Sequence, residues 1–156
     1  MKRSIEITLN GEKRAVEVEP NDTLLEVLRE KMGAKGPKVG CDRGDCGTCN
    51  VLLDGMSVRS CLILAIETDG SEIVSIEGLC PDGPGPLQDV FVKNNAFQCG
   101  FCAPGITVSA MELLNNNPEP TREDVVEAIS GNLCRCTGYT PIIDSILEVS
   151  KKEKSR

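Results

Sequence analysis

Gly40-Cys41-Asp42-Arg43-Gly44-Asp45-Cys46-Gly47-Thr48-Cys49 sets three cysteines and three glycines within ten residues, and Cys61 follows. The stretch between Gly33 and Asn50 has almost no apolar content. A connection of about 16 residues inside a compact unit is uncommon unless it binds something. A chain that wraps one ligand from a single loop must turn sharply and bring its N–H groups inward. Gly40, Gly44 and Gly47 offer no Cβ to obstruct that approach.

The pattern C-x4-C-x2-C with a distant fourth cysteine is the spacing of plant-type [2Fe–2S] sites. The rival is a zinc ribbon, but those favour paired C-x2-C knuckles. N–H groups aimed at the sulfurs would stabilise the charge of an iron–sulfur cluster and tune its potential. Before the loop, Ile5, Ile7 and Leu9 alternate with polar residues as a half-buried strand does. Asn10-Gly11 marks a hairpin turn, and Ala15, Val16 and Val18 form the return strand. Thr23 caps a helix bearing Leu24, Leu25, Val27 and Leu28, with Met32 closing the stripe and Gly33 ending it. After the loop, Asn50–Leu53 and Met56–Ser60 form a second hairpin, and Ile73, Val74 and Ile76 a last strand.

Residues 79–86 hold Pro81, Gly83, Pro84, Gly85 and Pro86, which marks a linker. Beyond it the pattern is helical. Four amphipathic helices are expected: Leu87 to Ala96, one with Pro104 in its first turn, one from the Thr121 capping pattern to Gly131, and one from Pro141. They imply a small bundle, with Lys151 to Arg156 as a charged tail. A second cysteine set sits at two of these helix entrances: Cys99-x2-Cys102 and Cys134-x-Cys136. Helix N-termini favour anionic groups, and a cluster with four thiolate ligands is anionic. Spacing alone leaves iron–sulfur, zinc and a redox dithiol open here.

Composition narrows the field. The chain has 156 residues, 40% hydrophobic but only 3% aromatic, without Trp. Two small cores of Val, Ile, Leu and Ala would be marginal alone, so a stabilising cofactor or partner is expected. A net charge of −7, spread over both halves, argues against nucleic acid and an anionic membrane surface. Met1-Lys2-Arg3-Ser4-Ile5-Glu6 leads straight into strand pattern, with no signal-peptide core. A cytoplasmic protein is expected, and there nine cysteines at tight spacings serve as metal ligands rather than disulfides. The absence of His excludes Cys2His2 zinc sites, Rieske clusters and His-dependent acid–base chemistry within the chain.

Three motifs taken together carry a resemblance. They are the Gly40–Cys49 loop, Gln98-Cys99-Gly100-Phe101-Cys102-Ala103-Pro104-Gly105, and Gly131-Asn132-Leu133-Cys134-Arg135-Cys136-Thr137-Gly138-Tyr139. In this order they resemble the small iron–sulfur subunit of molybdenum hydroxylases, the xanthine dehydrogenase and carbon monoxide dehydrogenase family, over essentially the whole chain. The resemblance implies an α+β chain: a plant-ferredoxin-like β-grasp domain over 1–78, the linker 79–86, and a four-helix domain over 87–156. Each domain would hold one [2Fe–2S] cluster, on Cys41, Cys46, Cys49 and Cys61, and on Cys99, Cys102, Cys134 and Cys136.

It also implies partners. The helical-domain cluster would lie beside the molybdopterin of a large subunit, with Gln98 bonding the pterin. The β-grasp cluster would face the FAD of a medium subunit. The assembly would be a heterotrimer or a dimer of heterotrimers, passing electrons from molybdenum through both clusters to FAD. The chain would carry no catalytic residue of its own. A purine or other N-heterocycle is the expected substrate, because such enzymes are numerous. The rivals are a free-standing two-cluster ferredoxin and a zinc-stabilised interaction module. Thr48 and Asn50 depart from the small Ala and Thr more familiar in the family, which bears on hydrogen bonding around the first cluster.

Several single residues complete the reading. Arg135 is an exposed cation that offsets cluster charge or a plain surface residue. Tyr139 is expected to pack on the last helix, and Phe91, Phe97 and Phe101 in the helical core. Cys80 is an apolar filler or an exposed thiol. Asp42, Arg43 and Asp45 are solvated loop charges or steer the flavin subunit.

Overall fold

The computed structural model describes residues 1–153. Strand β1 (Arg3–Leu9) buries Ile5, Ile7 and Leu9 and pairs antiparallel with β2 (Glu12–Val18). Asn10 (φ 52°) and Gly11 (φ 84°) both take the left-handed conformation that a two-residue hairpin turn demands. Helix α1 (Leu24–Glu26) opens with a capping box, in which Thr23 accepts the Glu26 N–H and Glu26 accepts the Thr23 N–H. Such a cap contributes about 1 kcal/mol. The helix continues as a wide turn, Val27–Lys31, and stops at Gly33 (φ 78°).

Strands β3 (Asn50–Leu53) and β4 (Met56–Arg59) form the second hairpin through Asp54 and Gly55, and two 3-10 turns follow, Ser60–Leu62 and Ala65–Thr68. Strand β5 (Glu72–Val74) inserts between β1 and β3, parallel to one and antiparallel to the other. The sheet order is β2-β1-β5-β3-β4. With α1 packed on it, this is the β-grasp arrangement. Leu24, Val27 and Leu28 meet Ile7, Val51 and Ile73 in its core. Each such buried side chain contributes about 1.5–3 kcal/mol.

The last strand is shorter than the sequence pattern implies. Ile76 begins a helical turn, α2 (Ile76–Leu79), rather than extending β5. The Asn10 side chain accepts the Ser75 N–H (2.9 Å) and donates to Ser75 Oγ (3.0 Å), which ends the ladder there. Helix α3 runs Pro86–Lys93, not Leu87 to Ala96. It starts on the proline, whose missing N–H costs nothing at that position, and the left-handed Asn95 (φ 47°) follows its end.

Helices α4 (Ala103–Asn116), α5 (Arg122–Ile129) and α6 (Thr140–Glu153) complete the bundle. Lys151 to Glu153 belong to α6 rather than to a tail, and the rest of the expected tail lies outside the described residues. Phe91 is buried and Phe97 half-buried, with ring centroids 4.9 Å apart and nearly perpendicular. Phe101 is not a core residue. It is 46% exposed, because it lies between two cysteines in the loop that leads to α4. Helix α4 has a double duty, filling the bundle core with Ile106 and Ala110 and packing against β3 and β4 of the sheet.

Candidate metal centres

The first cysteine loop is shaped by left-handed residues: Asp42 (φ 56°), Gly44 (φ 86°) and Gly47 (φ 70°). The turn directs N–H groups at a sulfur. Asp45 and Cys46 both donate to Cys41 Sγ at 3.3 Å. With the Arg43 N–H as the strongest contributor, these bonds bring the Cys41 thiol down to about 7. The Cys46 side chain also lowers the Cys41 thiol, so these two are neighbours, as are Cys49 and Cys61. Burial, followed by the Cys49 thiol, pushes Cys61 up to about 11. Ser60, fully buried, donates to the Cys49 carbonyl at 2.7 Å and ties the distant fourth cysteine to the loop.

The second set forms at the entrances of α4 and α6. Cys99 and Cys136 sulfurs are 3.7 Å apart and exposed, while Cys102 and Cys134 pair more deeply. Burial, then the Cys134 thiol, pushes Cys102 up to about 12. Burial would also raise Cys134, but the Thr137 hydroxyl and the N–H groups of Cys136 and Thr137 outweigh it and pull this thiol down. Gln98 is exposed, and its Nε2 donates to the Cys136 carbonyl at 3.0 Å. Arg135 is exposed, and Cys80 is half-buried beside Gly85.

The two sets meet across a seam. Leu133 N–H donates to the Cys46 carbonyl at 2.9 Å. Asn132, buried, donates to the Gly47 carbonyl (3.1 Å) and accepts the Ser109 hydroxyl (2.9 Å). Asn50 Nδ2 donates to Ser109 Oγ at 3.0 Å, and Arg59 donates to the Gly131 carbonyl at 3.1 Å. Gly105 of α4 lies against the Gly47 carbonyl so closely that a Cβ there would overlap it. Lys38 of the first loop stands 6.0 Å from the centre of the Phe101 ring in the second. Periodicity and spacing gave no sign of Asn132, Ser109 or Thr137. The one hint was Asn50, singled out as an unusual residue beside the first loop.

The eight thiols therefore act on one another as four pairs, two pairs per domain, and among the described residues no three close on a common point. Four sulfurs in two pairs are the donor set that a binuclear iron–sulfur cluster takes, two per iron. The comparisons agree. Residues 7–74 match the "2Fe-2S iron-sulfur cluster binding domain" family, and residues 75–147 the "[2Fe-2S] binding domain" family. The chain is 48% identical to the nicotine 6-hydroxylase small subunit of Paenarthrobacter nicotinovorans, over 92% of its own length and 87% of that protein. It is 47% identical to the nicotinate dehydrogenase small FeS subunit of Eubacterium barkeri, over 90% of each. Its fold superposes on a chain of quinoline 2-oxidoreductase from Pseudomonas putida 86 with a TM-score of 0.92, at 44% identity over 99% of this chain and 97% of that one.

The chain is a small iron–sulfur subunit of the molybdenum hydroxylase family. As such a subunit it carries two [2Fe–2S] clusters, one in the β-grasp domain and one in the helical domain. Among the described residues of this molybdenum hydroxylase subunit, no helix is long and apolar enough to cross a membrane.

Proposed function

We propose that this subunit relays single electrons from a molybdopterin-bearing large subunit, through its helical-domain cluster and then its β-grasp cluster, to FAD in a medium subunit. Cys99, Cys102, Cys134 and Cys136 hold the helical-domain cluster, and Cys41, Cys46, Cys49 and Cys61 the β-grasp cluster. The bound clusters supply one-electron redox chemistry at fixed positions. The chain's own contribution is rigid placement. The observation that carries this reading is the Leu133–Cys46 hydrogen bond, which joins the two thiol loops directly.

Exposure supports the partner roles. The exposed Cys99 and Cys136, with Gln98 beside them, form the end that approaches the pterin, where Gln98 hydrogen-bonds it. The Cys41 end, flanked by Asp42, Arg43 and Asp45, faces the flavin subunit. None of the nine cysteines is in a disulfide, which suits the reducing cytoplasm. The substrate oxidised by the complex is an N-heterocycle. Nicotine, nicotinate and quinoline, named in the relatives, share that chemistry. The complex is a heterotrimer or a pair of heterotrimers.

The test is co-expression with the neighbouring subunits, followed by metal analysis and electron paramagnetic resonance. The expected result is a complex containing molybdenum and flavin, with two distinct [2Fe–2S] signals reduced by an N-heterocycle. A colourless zinc protein, or a monomer that reduces diverse soluble acceptors by itself, would overturn the reading.

A further inference from the structure

Thr137 follows Cys134 by three residues in the loop that enters α6. Its Oγ1 is 3.2 Å from Cys134 Sγ. The same oxygen accepts the Tyr139 N–H at 3.2 Å. A hydroxyl has one proton to donate and two lone pairs to accept with. One lone pair is taken by Tyr139, and a metal-bound thiolate has no proton to give. The direction of the contact is thereby fixed, with Thr137 donating to sulfur.

Tyr139 is built to hold that geometry. It is a bulky residue at φ 69°, a conformation that needs support from its surroundings. The support comes from its hydroxyl, which accepts the Cys134 N–H at 2.9 Å and donates to the Asn132 carbonyl at 3.1 Å. The Cys134 N–H is thus committed to an oxygen. Cys41, in the other domain, takes its N–H···S bonds from the backbone of Asp45 and Cys46, which no side-chain change removes. At Cys134 a side-chain hydroxyl is added, and that can be deleted.

We propose that Thr137 is a positioning residue that raises the reduction potential of the helical-domain cluster through its O–H···S bond to Cys134, with Tyr139 orienting it. The proposal rests on the reading of Cys134 as a cluster ligand. Reduction by one electron makes a thiolate-rich centre more negative, and a hydrogen bond to its sulfur stabilises the more negative form more. One electron enters from the reductant, no covalent bond forms or breaks, and the proton stays on the Thr137 oxygen. A higher potential at this cluster suits an electron acceptor placed next to the molybdenum centre.

The experiment is a mediated dithionite titration of the assembled complex, following each cluster by electron paramagnetic resonance. Thr137→Val keeps the side chain's shape and removes the donor. The expected result is a fall at one cluster by about 59 mV, a tenfold change in a one-electron equilibrium, with the other unchanged and Thr137→Ser restoring the original value. Thr137→Ala is titrated alongside, in case the valine prevents cluster uptake. Resonance Raman spectra in heavy water supply a second reading: the shift of the helical-domain Fe–S stretches on exchange is smaller in Thr137→Val than in the unmodified complex, because the hydroxyl proton on Cys134 is gone. Unchanged potentials in a variant with both signals intact, or a serine variant that fails to restore the value, overturn the proposal. Loss of all iron–sulfur signals in the unmodified complex overturns the ligand reading instead.

Discussion

The Leu133 N–H donates to the Cys46 carbonyl at 2.9 Å, so one hydrogen bond joins a cysteine of the β-grasp loop to the residue before a cysteine of the helical loop. A contact 87 residues apart in sequence (Cys46 and Leu133) persists only if the surfaces around it are fixed. Asn132 fixes them by bonding Gly47 on one side and Ser109 on the other.

Asn132→Ala removes both bonds at a buried site. An unsatisfied buried polar group costs about 1–3 kcal/mol, so the variant is expected to unfold at a clearly lower temperature. It also loosens the seam, so the magnetic interaction between the two reduced clusters should weaken while each cluster's own signal persists. Calorimetry and low-temperature paramagnetic resonance read the two effects separately.

Gln98→Ala is expected to leave both clusters loaded, because the bond it deletes, to the Cys136 carbonyl, lies at the exposed surface. In the complex, reduction of the clusters by substrate should slow about tenfold, the worth of roughly one hydrogen bond. Rapid-mixing absorbance measurements report that rate. Loss of the helical-domain signal instead would make Gln98 a structural residue.

Glu77 gives a pH dependence. Burial would raise this carboxyl, but the Ser75 hydroxyl and the Gly36 N–H, both at 2.6 Å, outweigh it and hold it below its ordinary value. A group depressed in the folded state contributes stability that is present above its unfolded pKa and lost as pH falls through the folded one. Glu77→Gln should therefore be less stable than the parent at neutral pH, with the difference shrinking as pH falls below the ordinary glutamate range. Denaturant melts across that range would show the two curves converging. Parallel curves would place the stabilisation elsewhere.

Removing iron tests the clusters' structural role. Metal binding to a site that the unfolded chain lacks adds directly to stability. Chelation under reducing conditions should lower the melting temperature by several degrees, since each kcal/mol is worth about 2–4 °C at this size. Hydrogen exchange should quicken first in residues 40–49 and 133–139.

The parts of this molecule that could be read from the sequence are those written locally. Cysteine spacing, the Asn10-Gly11 and Asp54-Gly55 turns and the Thr23 and Thr121 caps each depend on a few neighbouring residues, and all are present. What escaped is set by packing between segments far apart. Ile76 keeps a strand-like pattern, yet Asn10 ends the strand from 65 residues away. Phe101 has the composition of a core residue but falls between two cysteines on an outward loop. Ser109 lies on the face of α4 turned to the sheet, where only the fold brings Asn50 and Asn132 to it. Tyr139 was expected to pack on α6 and lies against the bundle core, but its hydroxyl's role needed the left-handed turn to be seen.

Gly105 against the Gly47 carbonyl leaves less than a methyl group's width between the domains. A joint that tight has no slack for bending, so the span between the two thiol sites is a constant of the chain and not of its surroundings. The subunit then behaves as a length of fixed wiring. Whatever is joined to either end, the run of the wire between its two terminals stays the same.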